Sequence, residues 1–296
     1  MIAKINGKKA LVGNLTREAS ESNLGQTLTF DSLELYKNGD IIKIYDDGEL
    51  KFSGMVIKIG QNFLPPHSYK ARDYSFNLQS EDHGQIKDRV DSAIKNMCKK
   101  FGIPCQICSI PTKIKKIFPD TPLSDMFREM LDMAEKEQDK EYFMEVDCGK
   151  LVIDEKSKIK VSADFLIDNQ ATLTRSIEEL KNSVKIVSSD GVKVYGSAKD
   201  ERSINEFGLL QVVESIDDDK KSKASVTAKN RLNKLNKETC SIPVRLYVKS
   251  GAWDIKVNRL IKVELPQETG WNKVRSLMHT VEDGNDFIDI TLEWKE

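Results

Sequence analysis

Hydrophobic and polar positions alternate with a period of two over the first part of the chain, a pattern typical of half-buried β-strands. Asn6-Gly7 separates two short apolar segments and predicts a tight hairpin. Asp46-Asp47-Gly48 predicts another, because it follows a strand in which Ile42 and Ile44 share one face. The chain is therefore expected to begin as a series of antiparallel strands.

The strand after the second turn is expected to bend. Phe52-Ser53-Gly54 lies inside it, and a glycine within a strand marks a bulge or the close approach of another backbone. A sheet turns the corner of a small barrel through such a bend. The segment 68–80 is predicted to close this unit as a further strand, with Tyr74, Phe76 and Leu78 on one face.

The apolar period changes to that of a helix after Gly84. The first predicted helix extends to Phe101, and a second is predicted to begin at Thr121-Pro122 with the threonine as N-cap. Cys148-Gly149 then predicts a hairpin. Residues 84–155 are therefore expected to form a small helix–helix–hairpin module.

The remaining chain returns to strand patterns. The segment 175–182 predicts a short helix, Asp190-Gly191 predicts a hairpin, and the segment 223–238 predicts one amphipathic helix. Strand patterns then continue towards the end of the chain. The longest local charge cluster, residues 216–223, is acidic and then basic, which predicts a solvated loop followed by the start of the helix.

A pattern from the first part of the chain recurs near its end. Leu260–Val263 follows the pattern of Ile41–Ile44. A closing strand again alternates, through Ile288, Ile290, Leu292 and Trp294. Two related β-units are the simplest interpretation, and convergent strand patterning is the alternative, because alternation is a generic β signal. The predicted fold class is α+β, mainly β, with units at 1–83, which later strands can complete, 84–155, and 156–296.

Composition narrows the function. The chain has 296 residues, of which 31% are charged, but the formal net charge is -1 and opposite signs are interspersed, which argues against a nucleic-acid-binding face. No apolar run is long enough to span a membrane, and the first residues lack a secretory signal, so a soluble cytoplasmic chain is expected. The five cysteines are expected to be free thiols.

The sequence contains no pattern that predicts catalysis. His67, His83 and His279 are interpreted as isolated surface histidines. Cys105-x-x-Cys108 has no second ligand pair nearby and is interpreted as packing beneath a loop. The acidic pairs Asp46-Asp47 and Asp217-Asp218 lie in predicted turns. No catalytic, cofactor-binding or metal-ligating residue is assigned, no cofactor is expected, and the chain is not expected to be an enzyme.

Three short motifs, "NGDIIKIYDDG", "KFSGMVIKIG" and "ARDYSFNLQSE", resemble the N-terminal barrel of phage baseplate hub proteins, especially those of PBSX-like defective prophages and R-type contractile bacteriocins. The resemblance continues through "FGIP", "GKLVID" and "NSVKIVSSDG". The second unit departs from the family pattern, because it has Asn258-Arg259 where Gly-Asp is expected. The hairpin and bend positions selected from the motifs and turns are Gly39, Asp40, Gly48, Phe52, Gly54, Asp73, Tyr74 and Gly191.

This resemblance implies a structural role in a contractile tail. Each chain would contribute two tail-tube-like barrels, and a homotrimer would present six barrels that adapt the six-fold tail tube to the three-fold central spike. The implied partners are the tail tube or a tube-initiator protein, the spike, the tape-measure protein and other baseplate proteins, with no nucleic acid and no membrane. The protein would be made in the bacterial cytoplasm and assembled into the baseplate of a phage or of a tail-like bacteriocin (tailocin), both contractile injection systems.

Two alternatives belong to other functional classes. A tail-associated peptidoglycan hydrolase would require a catalytic constellation, and a β-barrel ligand-binding module would require exposed aromatic residues interleaved with basic ones. Neither pattern is found in the sequence, whose strand aromatics occupy alternating positions.

Overall fold

The computed structural model describes residues 1–138, 140–156, 159–167, 172–216, 218–264 and 269–293. A curled 14-stranded sheet runs through the molecule, and three smaller sheets and four α-helices surround it in these ranges. The predicted class, α+β and mainly β, is confirmed. No helix in the described part of the chain is long and apolar enough to cross a membrane.

The first β-unit contains seven strands. They are β1 (Ile2–Ile5), β2 (Lys8–Ala10), β3 (Gly13–Ser20), β4 (Gln26–Ser32), β5 (Ile41–Asp46), β6 (Glu49–Gly60) and β7 (His67–Asp73). Their inward positions form one hydrophobic core around Leu28, Phe30 and Phe52, each no more than 1% exposed.

The inserted module follows and has its own core. It consists of β8 (Glu81–Arg89), α1 (Val90–Lys100), β9 (Cys105–Ile107), β10 (Lys113–Pro122), α2 (Leu123–Gln138), β11 (Tyr142–Asp147) and β12 (Lys150–Glu155). The apolar faces of α1 and α2 pack together in this core, which also takes in Leu24 and Leu78 of the first unit.

The last part of the chain contains the second β-unit and a small α/β insertion within it. The second unit has β13 (Lys160–Val161), β14 (Asp164–Ile167), β15 (Thr174–Ser176), β19 (Thr239–Ser250), β20 (Leu260–Glu264), β21 (Thr269–Glu282) and β22 (Asn285–Glu293). The insertion has β16 (Ser183–Ser188), β17 (Val194–Lys199), α3 (Glu201–Phe207), β18 (Gln211–Ile216) and α4 (Ala224–Leu235). Each of the two has a separate core.

The large sheet joins the two β-units without a break. Its strand order is β14-β19-β22-β21-β3-β4-β7-β6-β5-β1-β2, with β20 beside β21, β13 beside β20 and β15 beside β19. The contact between units is the antiparallel pair of β3 and β21. Backbone pairing therefore continues from one core to the other.

The predicted closing strand of the first unit ends earlier than the sequence indicated. Strand β7 stops at Asp73, and a 3₁₀ helix, Tyr74–Gln79, follows. Asp73 causes this change, since its carboxylate accepts the backbone N–H of Ser75 and caps the helical turn. Leu78 is buried, but Phe76 is 45% exposed, so alternation does not continue.

The helices of the module also begin later than predicted. Residues after Gly84 belong to β8, which pairs with β10, and α1 begins only at Val90. Thr121-Pro122 ends β10 and does not cap α2. Half-buried strands and amphipathic helices both bury apolar residues, so a short apolar run does not separate the two.

One further expectation was wrong. The segment 175–182 is not helical: it completes β15 and then turns. Of the two possibilities expected for the glycine inside β6, a bulge or a close approach, the close approach is found, and the register slips at Lys51 and at Ile57 on either side of it. Gly54 lies where another backbone approaches closely, because a Cβ there would meet the carbonyl oxygen of Arg72 at 2.5 Å. Asp217 and Trp294 lie outside the described residues.

Candidate functional site

The turn that leads into β5 is closed by three backbone hydrogen bonds. Gly39 N–H donates to the carbonyl of Val56 (2.9 Å), Val56 N–H donates to Asp40 (2.9 Å), and Asp40 N–H donates to Lys37 (3.1 Å). The carboxylate of Asp40 also accepts from Asn6 Nδ2 at 2.9 Å and from Lys37 N at 2.8 Å. These hydrogen bonds lower the pKa of Asp40 and fix the start of the strand.

The turn that leads into β20 repeats this geometry. Asn258 N–H donates to Val274 (3.0 Å), Val274 N–H donates to Arg259 (2.9 Å), and Arg259 N–H donates to Lys256 (3.3 Å). Asn258 has φ 64°, in the left-handed region that Gly39 occupies at φ 95°. The departure from Gly-Asp therefore leaves the turn intact.

Register and bulges repeat as well. Ile41 pairs with Met55 as Leu260 pairs with Lys273. Beyond these pairs, one extra residue interrupts the ladder in each long strand, between Val56 and Lys58 in β6 and between Val274 and Ser276 in β21. The repeat predicted from the sequence is thus present in the hydrogen-bond geometry of both units.

Arg259, which takes the place of Asp40 in the second unit, makes different contacts. Arg259 donates to both carboxylate oxygens of Glu145 on β11, at 2.5 and 3.2 Å, and its guanidinium lies 5.5 Å from the centre of the Phe143 ring. Lys256 pairs nearby with Asp147 at 2.8 Å. The same turn that carries an internal cap in the first unit therefore holds the inserted module in the second.

The junction of the two units is built around a buried arginine. Arg17 of β3 is 0% exposed, and its guanidinium donates to the carbonyls of Ala252 (3.2 Å), Trp253 (3.2 Å) and Ile255 (3.0 Å). It also lies 4.7 Å from the centre of the Trp253 ring. Burial lowers the pKa of Arg17 to about 10, so the group stays charged at neutral pH. A first-unit side chain thus holds the connection between β19 and β20 of the second unit.

His279 completes this cluster from β21. It pairs with Arg17 in the strand register, its ring meets the Trp253 ring edge-on at 5.0 Å, and its Nε2 lies 2.6 Å from Asp286 Oδ1. Burial lowers the pKa of His279, which favours the neutral imidazole.

The expectation of surface histidines is wrong at two positions. His279 is 0% exposed and His67 is 5% exposed, whereas His83 is exposed. The missed cluster had a signal in the sequence: Arg17 stands between Leu15 and Ala19 in the alternation, at a position that faces inward. A charged residue at such a position indicates a buried polar contact.

Asp73 fixes the end of β7 within the first unit, and Tyr74 contacts the inserted module. Asp73 is 3% exposed and accepts the N–H of Gln26 at 2.6 Å, and burial raises its pKa to about 6. A Cβ on Gly25 would meet Asp73 Oδ1 at 2.3 Å, so only glycine fits there. The Tyr74 ring lies against Gly149, in the hairpin turn of the module.

The other selected positions have local roles. Gly48 (φ 81°) and Gly191 (φ 76°) lie in turns that require the left-handed region, and Phe52 fills the first core. Cys105 lies near the fully buried Cys98, and burial raises the pKa of Cys98 to about 12. Within the described ranges no group of three or more His, Cys, Asp or Glu side chains is placed to hold a metal ion.

A concave groove crosses the junction on the sheet face opposite Arg17. Both units line it, with polar side chains from Glu18, Thr27, Arg72, Arg245 and Asp289. Arg245 and Asp289 form an ion pair at 2.7 Å. The groove is a property of the joined sheet and of neither unit alone.

Comparison with solved structures shows which proteins share this fold. Over 99% of its length the chain matches 96% of a tail protein from Neisseria meningitidis (TM-score 0.76, 12% identity), and over 98% it matches 97% of the 43 kDa tail protein of prophage MuSo2 from Shewanella oneidensis (TM-score 0.72, 15% identity). It also matches 77% of an Escherichia coli type VI secretion component, described as similar to the T4 bacteriophage tail proteins gp27 and gp5 (TM-score 0.56, 9% identity, 99% of this chain). The chain has the fold of these proteins.

The family follows from the sequence. The model of the YQBQ-like family matches residues 14–293, and the chain belongs to this family. A search of the curated proteins finds no match.

Proposed function

We propose that the protein is a structural hub of the baseplate of a phage tail or tail-like bacteriocin. Three copies form a ring whose six β-units meet a six-fold tail tube on one face and a three-fold central spike on the other. The observation that carries this proposal is the repeated turn, register and bulge of the two units, because a chain with two equivalent units converts three-fold into approximate six-fold symmetry.

The fold comparisons support the same role. Two of the matched proteins are tail proteins and the third is a secretion component described as similar to tail proteins. The YQBQ-like membership is compatible with the PBSX-like hub indicated by the sequence motifs. The proposed role is mechanical and requires no catalysis: the continuous sheet transmits load between the units through backbone hydrogen bonds.

The partners divide among the surfaces of the molecule. The groove across the junction, with its threonines and paired charges, lines the central channel that accommodates a tape-measure segment. The inserted module, anchored by Arg259 and Lys256, projects towards other baseplate proteins. The proteins of the tail tube and the spike dock on the two rims of the ring.

Light scattering on a sizing column tests the assembly. The purified chain is measured alone and with the central spike protein of the same particle, and the mass of three chains is expected in at least one case. Averaged electron micrographs of tails should show three-fold density at the position of the chain. A monomer with the spike present, together with tails that lack this density, would contradict the proposal. Cleavage of purified peptidoglycan by the chain would favour the hydrolase instead.

A further inference from the structure

Beyond its bulge, strand β21 is paired on both edges, whereas its counterpart β6 is paired there on one edge alone within the described residues. One edge of β21 pairs with β22, and the other pairs first with β20 and then, beyond the bulge, with β3. Strand β6 pairs in the same way with β7 and with β5. In the described part of the chain, however, no strand pairs with Lys58–Gly60 on the side that corresponds to β3.

An exposed apolar residue, Phe63, follows this open edge in the chain. Val274 of β21 corresponds to Val56 of β6, and counting seven residues onward from each makes Phe63 the counterpart of Val281. Val281 packs against the core of the first unit. Its counterpart Phe63 is fully exposed to solvent. Open strand edges next to exposed apolar residues are typical docking sites for another strand.

The connection before β5 shows the same contrast. In the second unit the corresponding connection, between β19 and β20, inserts Trp253 into the core of the first unit, where it is 2% exposed. In the first unit the connection between β4 and β5 carries Leu33 and Leu35, which are 65% and 61% exposed. Each element that docks the second unit on the first thus has a solvent-exposed counterpart in the first.

The second unit offers the complementary edge. Strand β22 pairs with β21 as β7 pairs with β6. Leu28 of β4 pairs with Ala71 of β7, and Ile242 of β19 pairs with Leu292 of β22 in the same way. Strand β19 therefore corresponds to β4. Strand β15 then takes the place of the last residues of β3. On β3, Glu18 pairs with Thr27; on β15, Thr174 pairs with Ser241. In the described ranges β15 pairs with β19 alone, and its other edge carries no strand.

We infer that β15 of one copy adds to the open edge of β6 in the next copy. The pairing repeats the junction of β3 and β21 inside the chain, where Ser20 lies opposite Ser276. Ser176 is the counterpart of Ser20, and Lys58 is the counterpart of Ser276, so Ser176 of one copy lies opposite Lys58 of the next. Phe63, Leu33 and Leu35 of the copy that supplies β6 then pack against the second-unit core of the copy that supplies β15. The inference rests on the proposed function, since such a head-to-tail contact closes a ring of three copies.

Paired cysteines test this register. The variant Lys58→Cys with Ser176→Cys is made in a background in which the half-exposed Cys105, Cys108 and Cys148 are serines. After oxidation, a covalent trimer is expected on a non-reducing gel, because directly opposite residues of antiparallel strands bring their Cβ atoms within about 5.5 Å. The reaction is run on the chain alone, on the chain with the spike protein, and on assembled tails.

Two matched variants calibrate the result. Ser20→Cys with Ser276→Cys places the cysteines at the equivalent junction inside one chain, and its cross-link yield sets the scale. Lys58→Cys with Thr174→Cys is out of register and should give several-fold less covalent trimer. A trimer by light scattering that cross-links no better at 58/176 than at 58/174 would overturn the strand pairing and leave the hub intact. If no trimer forms in any of the three settings, the hub proposal fails and this inference fails with it.

Discussion

The guanidinium of Arg17 lies 4.7 Å from the centre of the Trp253 ring, so that a residue of the first unit stacks on a connection of the second. Arg17 also donates to three carbonyls of the same connection. A buried charge needs hydrogen-bond partners, and three of those of Arg17 lie across the junction, although its Nε has none. Arg17 therefore holds the two units together at this point.

Replacing Arg17 is expected to destabilise the whole chain. Arg17→Met keeps the apolar stem but leaves three buried carbonyl oxygens without this donor, so we expect a loss of about 3 kcal/mol or more in the free energy of unfolding. Urea unfolding followed by tryptophan fluorescence measures it, since Trp253 reports on the junction. The control is Arg245→Met, which removes an exposed arginine paired with Asp289 and should cost less than about 1 kcal/mol. Equal losses of unfolding free energy in both variants would contradict a special stabilising role of the buried Arg17.

Gly54 is expected to reject any side chain. A Cβ there would lie 2.5 Å from the carbonyl oxygen of Arg72, which belongs to the paired backbone and cannot move aside. Gly54→Ala should therefore cost about 2 kcal/mol. Gly84→Ala is the matched control, because a Cβ there meets nothing within 4 Å, and it should be neutral or slightly stabilising. The difference between the two midpoints in a thermal unfolding scan decides the prediction.

Local sequence patterns predicted several strands and hairpins of both units, because alternation and Asp-Gly or Asn-Gly turns act over a few residues, but they predicted a helix where β15 lies. They did not predict the end of β7, where the capping bond of Asp73 overrides the alternation that continues through Phe76 and Leu78. They also missed the junction, since Arg17 and Trp253 are distant in sequence and meet only when both units have folded. Contacts between distant residues decide the candidate site; local alternation marks Arg17 as a buried charge but does not identify Trp253 as its partner.

Asp73 should make stability depend on pH. Its pKa of about 6 in the folded chain exceeds the ordinary value of about 3.9, so the folded state binds the extra proton. The stabilisation is complete below about pH 4 and is lost as the pH rises through 6. The free-energy difference between wild type and Asp73→Asn should therefore fall by about 1–3 kcal/mol from pH 4 to pH 7. Asp40→Asn is a control of opposite sign, because the pKa of Asp40 is lowered and its stabilisation is lost on acidification. A pH-independent difference for Asp73→Asn would refute the prediction.

The two equivalent turns should respond in opposite directions, one to the loss of a glycine and the other to the gain of one. Gly39 and Asn258 share one hydrogen-bond pattern at positive φ, and a Cβ on Gly39 would meet nothing within 4 Å, so any penalty at this position comes from the backbone alone. Gly39→Ala should cost about 1–2 kcal/mol, the expense of a left-handed conformation for an L-residue. Asn258→Gly should stabilise the chain by up to about 1 kcal/mol, because it relieves that strain and removes a buried Oδ1 that has no hydrogen-bond partner. Urea midpoints of the two variants give both values. A neutral Gly39→Ala, or a destabilising Asn258→Gly, would mean that the two turns are not equivalent, and the ring of six like units would lose its main support.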